Sequence, residues 1–112
     1  MIKNETTGKI IVRHSKHCRS IFSKAKGLMF SPKMKDEGLI FYFGKEQLTS
    51  LHMFFVFQTI DVLFLDKVKR VVEIKRNFRP FTVYAPKNRS NYVIELPENF
   101  SAETKKGDKI EF

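Results

Sequence analysis

The sequence has a single cysteine, no tryptophan and no long apolar run. Cys18 has no partner with which to form a disulfide within the 112 residues, and this fits a reducing compartment. The apolar runs fall far short of the roughly 20 residues that a membrane-spanning helix needs. The first ten residues also lack the apolar segment of a signal peptide. We therefore expect a cytoplasmic protein with no membrane partner.

Several catalytic and cofactor-binding motifs are also missing. The chain has no glycine-rich phosphate loop, no dinucleotide-binding fingerprint, no Ser-His-Asp order and no paired cysteines. His14, His17 and Cys18 offer nitrogen and sulfur ligands, but their spacing matches no common zinc motif. We expect no metal and no cofactor, and the sequence indicates no named reaction class.

The chain has enough apolar residues for one core. Its length fits one domain, which we place at 1–112, and 42% of the residues are hydrophobic, among them twelve phenylalanines. Ser20 to Lys26 reads as a short helix, with Ser20 as N-cap and Gly27 as a C-terminal stop. The rest reads mainly as strands, for which we predict the bounds 1–4, 9–13, 38–43, 51–57, 61–65, 68–75, 91–96 and 109–112. We predict an α+β class: a single small β-rich domain with a curled, mostly antiparallel sheet or partial barrel and one short N-terminal helix.

The charge is positive and unevenly spread. The net charge is +9, and residues 1–36 and 67–89 form two basic blocks. In the second block, aromatic residues are interleaved with basic ones, a pattern that can follow a phosphate backbone and stack bases. The alternative is a solvated surface that keeps the protein soluble. The candidate anion or nucleic-acid contacts are Lys67, Lys69, Arg70, Lys75, Arg76 and Arg79.

Several short segments spread along the chain resemble those of a known family, the domain of unknown function 192 (DUF192) in its archaeal form. The resemblance covers essentially the whole chain and implies a small β-rich domain without an established activity. Many members carry tryptophan where this chain has His52. The matching pieces are KGLMF at 26–30, GLIF at 38–41, SLHMFF at 50–55, IDVLFLD at 60–66, Pro80, YVIELP at 92–97 and Gly107-Asp108.

The matched positions that could mark a family site are His52, Met53, Asp61 and Glu95. Asp61 interrupts an apolar run, and a lone buried charge is costly, so its carboxylate is either a structural acceptor or part of a site. Two nearby carboxylates, such as Asp61 and Glu95, would split their pKa values and could share acid and base roles. A histidine in an aromatic strand is either a packed core residue or a pocket residue.

Three functions follow from these residues. The first is a non-catalytic, monomeric binding module, with an apolar and aromatic pocket or groove for a small ligand or a protein segment. The second is nucleic-acid binding through the two basic blocks. The third is an enzyme that acts on an anionic substrate through Asp61, Glu95 and His52; we lean against catalysis because no nucleophile or metal motif accompanies them.

Overall fold

The computed structural model describes residues 1–20 and 27–112, which form ten strands joined by turns and loops. Most strands are short, as expected for a chain punctuated by glycine and proline. The strands are β1 (Ile2–Asn4), β2 (Lys9–Val12), β3 (His14–Cys18), β4 (Glu37–Gln47), β5 (Leu51–His52), β6 (Ile60–Leu65), β7 (Val71–Phe78), β8 (Val83–Tyr84), β9 (Ser90–Pro97) and β10 (Ile110–Glu111).

The predicted α+β class is wrong. The described part of the chain contains no helix, and its regular elements are all strands, so the fold is all-β. Residues 21–26, which hold all of the predicted N-terminal helix except Ser20, lie outside the described residues. An N-cap and a terminating glycine are weak evidence for a helix of only seven residues, because so short a helix forms few hydrogen bonds to offset the cost of its nucleation.

The strands form three sheets rather than one curled sheet or partial barrel. The central sheet has five strands in the order β3-β4-β9-β6-β7, and only the β3–β4 pair is parallel. A three-stranded sheet has the order β10-β1-β2, and β5 pairs with β8. The predicted strands at 1–4 and 9–13 form the expected antiparallel pair, and the strand at 61–65 is also confirmed.

Both faces of the central sheet are covered by other parts of the chain, and side chains alternate between these faces along each strand. One face, the sheet-covered face, packs against the three-stranded sheet through Ile2, Val12 and Ile110. The other, the loop-covered face, packs against Leu28, Met34, Met53 and Val56 from two loops. The sheet-covered face carries Ile40, Leu63, Leu65, Ile94 and Leu96, and the loop-covered face carries Leu39, Phe41, Val62, Phe64 and Val93.

The predicted strand over 51–57 is wrong beyond its first two residues. Only Leu51 and His52 are extended, and Met53 to Phe57 form a turn and loop in which Phe55 has a φ of 59°. A bulky side chain at positive φ cannot continue a strand. Met53 and Val56 point into the core from this loop, whereas Phe54, Phe55 and Phe57 are exposed.

No helix in the described residues is long and apolar enough to cross a membrane.

Candidate functional site

A cavity of about 290 Å³ lies over the loop-covered face of the central sheet. Its floor comes from β4 and β9, and its walls come from residues 27–29, from strand β5 and from the loop residues on either side of β5. Its size is at the lower end of the range for small-ligand sites. The lining residues are mainly apolar: Gly27, Leu28, Met29, Phe41, Phe43, Thr49, Ser50, Leu51, His52, Met53, Val56, Val93 and Glu95.

Glu95 is the only acidic side chain among the described residues that line this cavity. It lies on β9, between Leu39 of β4 and Val62 of β6, and strand alternation directs it to the same face as Val93. Glu95 is 8% exposed, and its carboxyl has no hydrogen bond or ion pair with another residue that the structure describes. Burial raises the pKa of Glu95 to about 7. Near neutral pH the carboxyl therefore exists in both protonated and ionised forms.

His52 and Met53 line the same cavity. Met53 is buried, and its backbone is fixed by hydrogen bonds to the turn at 79–82: its N–H donates to the Thr82 carbonyl at 2.7 Å, and its carbonyl accepts from the Phe81 N–H at 2.8 Å. His52 is exposed, its Nδ1 accepts from the Phe54 N–H at 3.2 Å, and its ring stacks on Phe54. His52 therefore belongs to the cavity's rim.

Asp61 lies on the opposite face of the sheet. Its carboxylate is 1% exposed; Oδ1 accepts from the Asn77 N–H at 3.1 Å, and Oδ2 accepts from the N–H and the hydroxyl of Ser101. Asp61 lies near the start of β6, and these hydrogen bonds match one of its two predicted roles, that of a structural acceptor. Because it pairs with Leu96 in register, it faces away from the Glu95 cavity.

The structure thus brings His52, Met53 and Glu95 to one cavity and separates Asp61 from them. Asp61 and Glu95 share no cavity, so the geometry offers them no shared acid and base roles. Sequence reasoning missed most of the apolar lining, including Leu28, Met29, Phe41 and Phe43. For Val93 the signal was present, since it lies two residues from Glu95 on a strand and therefore shares its face.

The candidate basic contacts are largely engaged within the chain. Arg76 donates to the Ser101 hydroxyl and to the carbonyls of Ser101 and Thr104, and Arg70 donates to the Gly107 carbonyl. Lys75 lies over the Tyr84 ring, and Lys69 lies 4.0 Å from the centroid of the Phe112 ring. Lys67 and Arg79 are exposed.

The two basic blocks approach each other at one cluster of aromatic rings. Tyr42, Tyr92 and Phe112 contact one another edge to face, with Arg19 over Tyr42 and Lys69 over Phe112. His17 hydrogen-bonds the Tyr42 hydroxyl at 2.6 Å. Partial burial and the positive charges of Arg19, the N-terminus and Lys69 lower the pKa of His17.

The histidines and the cysteine near the N-terminus do not converge. On β3, His17 and Cys18 are adjacent residues and point to opposite faces; Cys18 is buried and His17 is exposed. Within the ranges 1–20 and 27–112, no group of three or more His, Cys, Asp or Glu residues is arranged to hold a metal ion.

Archaeal proteins have similar sequences. The chain is 39% identical over 99 residues to a UPF0127 protein of Thermococcus sibiricus, covering 87% of this chain and 63% of that protein. A UPF0127 protein of Thermococcus gammatolerans is 35% identical over 114 residues, covering 98% of this chain and 73% of that protein. The chain thus spans less than two thirds of the first relative's length.

A solved structure shares the fold. The crystal structure of a protein of unknown function from Novosphingobium aromaticivorans DSM 12444 superposes with a TM-score of 0.87 at 26% identity, covering 99% of this chain and 81% of that one. The DUF192 family model, described as "Uncharacterized ACR, COG1430", matches residues 2–112. The resemblance seen in the sequence is therefore confirmed: the chain belongs to the DUF192 family.

Proposed function

We propose that this domain is a non-catalytic binding module whose cavity takes up a small, largely apolar ligand and holds a hydrogen-bond donor of that ligand on Glu95. The observation that carries the proposal is the Glu95 carboxyl, buried in an apolar cavity wall without a hydrogen bond to any other described residue. A buried carboxyl without a partner is costly, and a ligand donor would remove that cost.

The composition of the cavity supports a ligand with one polar end. Aliphatic, aromatic and methionine side chains cover most of the lining, and methionine adapts easily to different apolar shapes. The hydroxyls of Thr49 and Ser50 and the ring of His52 add polar groups to the lining. An amine, an amide or a hydroxyl attached to an apolar body of a few carbon atoms would match this arrangement.

Binding is favoured over catalysis because the described lining gives Glu95 no second carboxylate. Asp61 lies on the opposite face, and His52 uses Nδ1 in a hydrogen bond to the backbone. Among the described residues, no cysteine or lysine lines the cavity, and the hydroxyls of Thr49 and Ser50 donate no hydrogen bond to a base. The described part of the lining thus offers no activated nucleophile.

A series of small probes with one chain length tests the proposal. Hexylamine, hexanol and hexanoate would be titrated into the isotopically labelled chain near pH 8, where Glu95 is mostly ionised, and followed by NMR at the Met53 methyl group. We expect hexylamine to bind most tightly and hexanoate least, although the protein's net positive charge opposes an amine.

The matched variants are Glu95→Gln and Glu98→Gln, because both remove one negative charge and Glu98 is exposed on the same segment. Glu95→Gln should remove the preference for hexylamine over hexanol, and Glu98→Gln should keep it. If no probe shifts the Met53 signal, or if Glu95→Gln keeps the amine preference, the proposal is wrong.

A further inference from the structure

Four phenylalanine rings form a contiguous exposed surface. This phenylalanine cap consists of Phe30, Phe55, Phe57 and Phe81, each between 48% and 69% exposed. Phe30 stacks on Phe55 with ring centroids 5.0 Å apart, and Phe81 contacts both Phe55 and Phe57 edge to face at 6.2 and 5.5 Å. Isolated exposed apolar residues are ordinary, whereas a contiguous aromatic surface marks an interaction site.

The backbone holds three of these rings outward in an unusual conformation. Phe30, Phe55 and Phe81 have φ values of 58°, 59° and 60°, a region that bulky residues rarely adopt. Two backbone hydrogen bonds join the three segments: the Phe30 N–H donates to the Phe55 carbonyl, and the Phe81 N–H donates to the Met53 carbonyl, both at 2.8 Å. Backbone strain that presents apolar rings to solvent is typical of functional surfaces.

Three cations lie on the segments that carry the cap. The segments 27–35, 53–59 and 79–82 contain Lys33, Lys35 and Arg79 and no acidic residue. Of the two acids that follow Lys35, Asp36 pairs with Arg13 and Glu37 is exposed. All three cations are exposed, and none forms an ion pair with a residue that the structure describes. Lys33 follows Phe30 by three residues, so their Cα atoms are at most about 11 Å apart. Arg79 precedes Phe81 by two residues, so their Cα atoms are at most about 8 Å apart.

From these contacts we propose that the phenylalanine cap docks this protein on a phosphate-bearing, anionic lipid surface. The rings would enter the boundary between headgroups and acyl chains, and Lys33, Lys35 and Arg79 would lie among the anionic headgroups. A peripheral contact of this kind needs no membrane span, and the expectation of no membrane partner rested on the absence of a span. The proposal is separate from ligand binding at Glu95.

A lipid surface fits the cap better than other occupants. Nucleic-acid bases stack on free ring faces, but Phe30 and Phe55 each cover one face of the other, and Phe81 contacts Phe55 and Phe57 edge to face, so the rings pack on one another instead of forming a row of separate stacking platforms. A second copy of the chain would bring the same three cations against each other. A bilayer accepts a loop-borne apolar surface without a matching shape, and its anionic headgroups complement the charge.

Vesicle flotation with the full chain tests this docking. Vesicles of phosphatidylcholine alone would be compared with equimolar phosphatidylcholine and phosphatidylglycerol at low salt. We expect binding to the anionic vesicles, weakening as salt rises, and little binding to the neutral ones. No binding to anionic vesicles, or equal binding to both kinds, would overturn the proposal.

Two variant pairs test the residues. The double variant Phe57→Ser/Phe81→Asn should bind anionic vesicles at least about tenfold more weakly, because two inserted rings are lost. Asparagine tolerates the positive φ at 81, so this variant should stay folded. Phe100→Ser, which removes an exposed ring outside the cap, should bind as the unchanged chain does.

The second pair keeps the rings and changes only charge. Lys33→Gln/Lys35→Gln should weaken binding roughly tenfold or more, whereas Lys105→Gln/Lys106→Gln, with the same loss of net charge elsewhere on the surface, should not. Thermal melts establish that each variant is folded. Full binding by a folded cap variant, or self-association through the cap with no vesicle binding, would refute lipid docking.

Discussion

At the scale of single residues, the protonation of Glu95 in the cavity makes the stability of the fold depend on pH. Its pKa rises from an ordinary value of 4.5 to about 7 because burial disfavours the ionised carboxylate. The folded chain therefore holds this proton more tightly than the unfolded chain. The contribution of protonated Glu95 is complete below about pH 4.5 and is lost as pH rises to about 7.

Glu95→Gln should remove this pH dependence. Around pH 8 the variant should be more stable than the unchanged chain by up to roughly 3 kcal/mol, and below about pH 4 the two should be equally stable. Urea unfolding at several pH values measures the difference, with Glu98→Gln as a control for charge. Equal destabilisation at all pH values would instead indicate that glutamine disturbs the packing.

A gain in stability from Glu95→Gln would support the proposed ligand site. The buried carboxyl, which has no partner among the described residues, costs folding free energy, and such costs are typical of sites that must present a polar group to a ligand. Glu95 therefore differs from Glu73, which is also buried. Burial alone would raise the pKa of Glu73, but hydrogen bonds from Tyr84, Asn88 and the Lys87 N–H lower it overall.

At the scale of elements, Asp61 fastens two strands to the segment that follows β9. Asp61 lies on β6, and its carboxylate accepts hydrogen bonds from Asn77 on β7 and from Ser101. The hydroxyl and the carbonyl of Ser101 in turn accept hydrogen bonds from Arg76. The arrangement fixes the 98–104 segment against the sheet-covered face. It also explains how the acid in an apolar strand is satisfied, since three donors converge on it.

Asp61→Asn should destabilise the fold by about 1 to 3 kcal/mol, because an amide nitrogen cannot accept the hydrogen bonds of Ser101 or Asn77. Ser101→Ala, which removes only the hydroxyl donor, should cost about 1 kcal/mol. Chemical unfolding gives both values. Hexylamine binding should be the same in both variants, because the Glu95 cavity lies on the other face; unchanged stability of Asp61→Asn would contradict the structural role.

The element scale also shows where sequence reasoning succeeded and failed. The strand at Ile60–Leu65 was predictable because its apolar, β-branched run is buried on both faces. The segment Met53–Phe57 has a similar composition but breaks at Phe55 and exposes three of its rings. Hydrophobicity alone cannot distinguish these two segments, because a strand prediction based on it treats aromatic residues as buried.

The candidate site was predictable only in part, for a related reason. Glu95 and His52 were selected by family resemblance, and their common cavity depends on loops that pack over the sheet from distant parts of the chain. Leu28 and Met29 come from one such loop and Met53 from another, and no periodic pattern connects them. The sequence alone does not separate Asp61 from Glu95, because only the strand register shows that the two lie on opposite faces.

At the scale of the whole molecule, residues far apart in sequence complete the fold. Asn4 of β1 pairs with Ile110 of β10, and the three-stranded sheet that contains them covers one face of the central sheet. Pairings this distant in sequence close large loops before they gain hydrogen bonds, so we expect folding on the slow scale of β-rich domains.

Ile110→Ala should therefore weaken the whole domain rather than one strand. Ile110 is buried between the two sheets, and truncating such a residue costs about 2 to 5 kcal/mol. A single cooperative unfolding transition at lower denaturant is the expected result. Ile10→Ala, in the same small sheet but exposed, is the control and should change stability by less than about 0.5 kcal/mol; equal losses would contradict the role of burial.

Among the described strands, β3 and β7 form the edges of the central sheet, one from each basic block, and hydrogen bonds of Val71 with Gly107 and Asp108 cover the start of the β7 edge. Where an edge is uncovered, it offers unpaired backbone groups to the edge of another molecule, which is a common start of aggregation. Lys16 lies on β3, and Lys75 and Arg76 lie on β7. Two copies that approach edge to edge would bring these like charges together, so the basic surface also protects the sheet from adding a foreign strand.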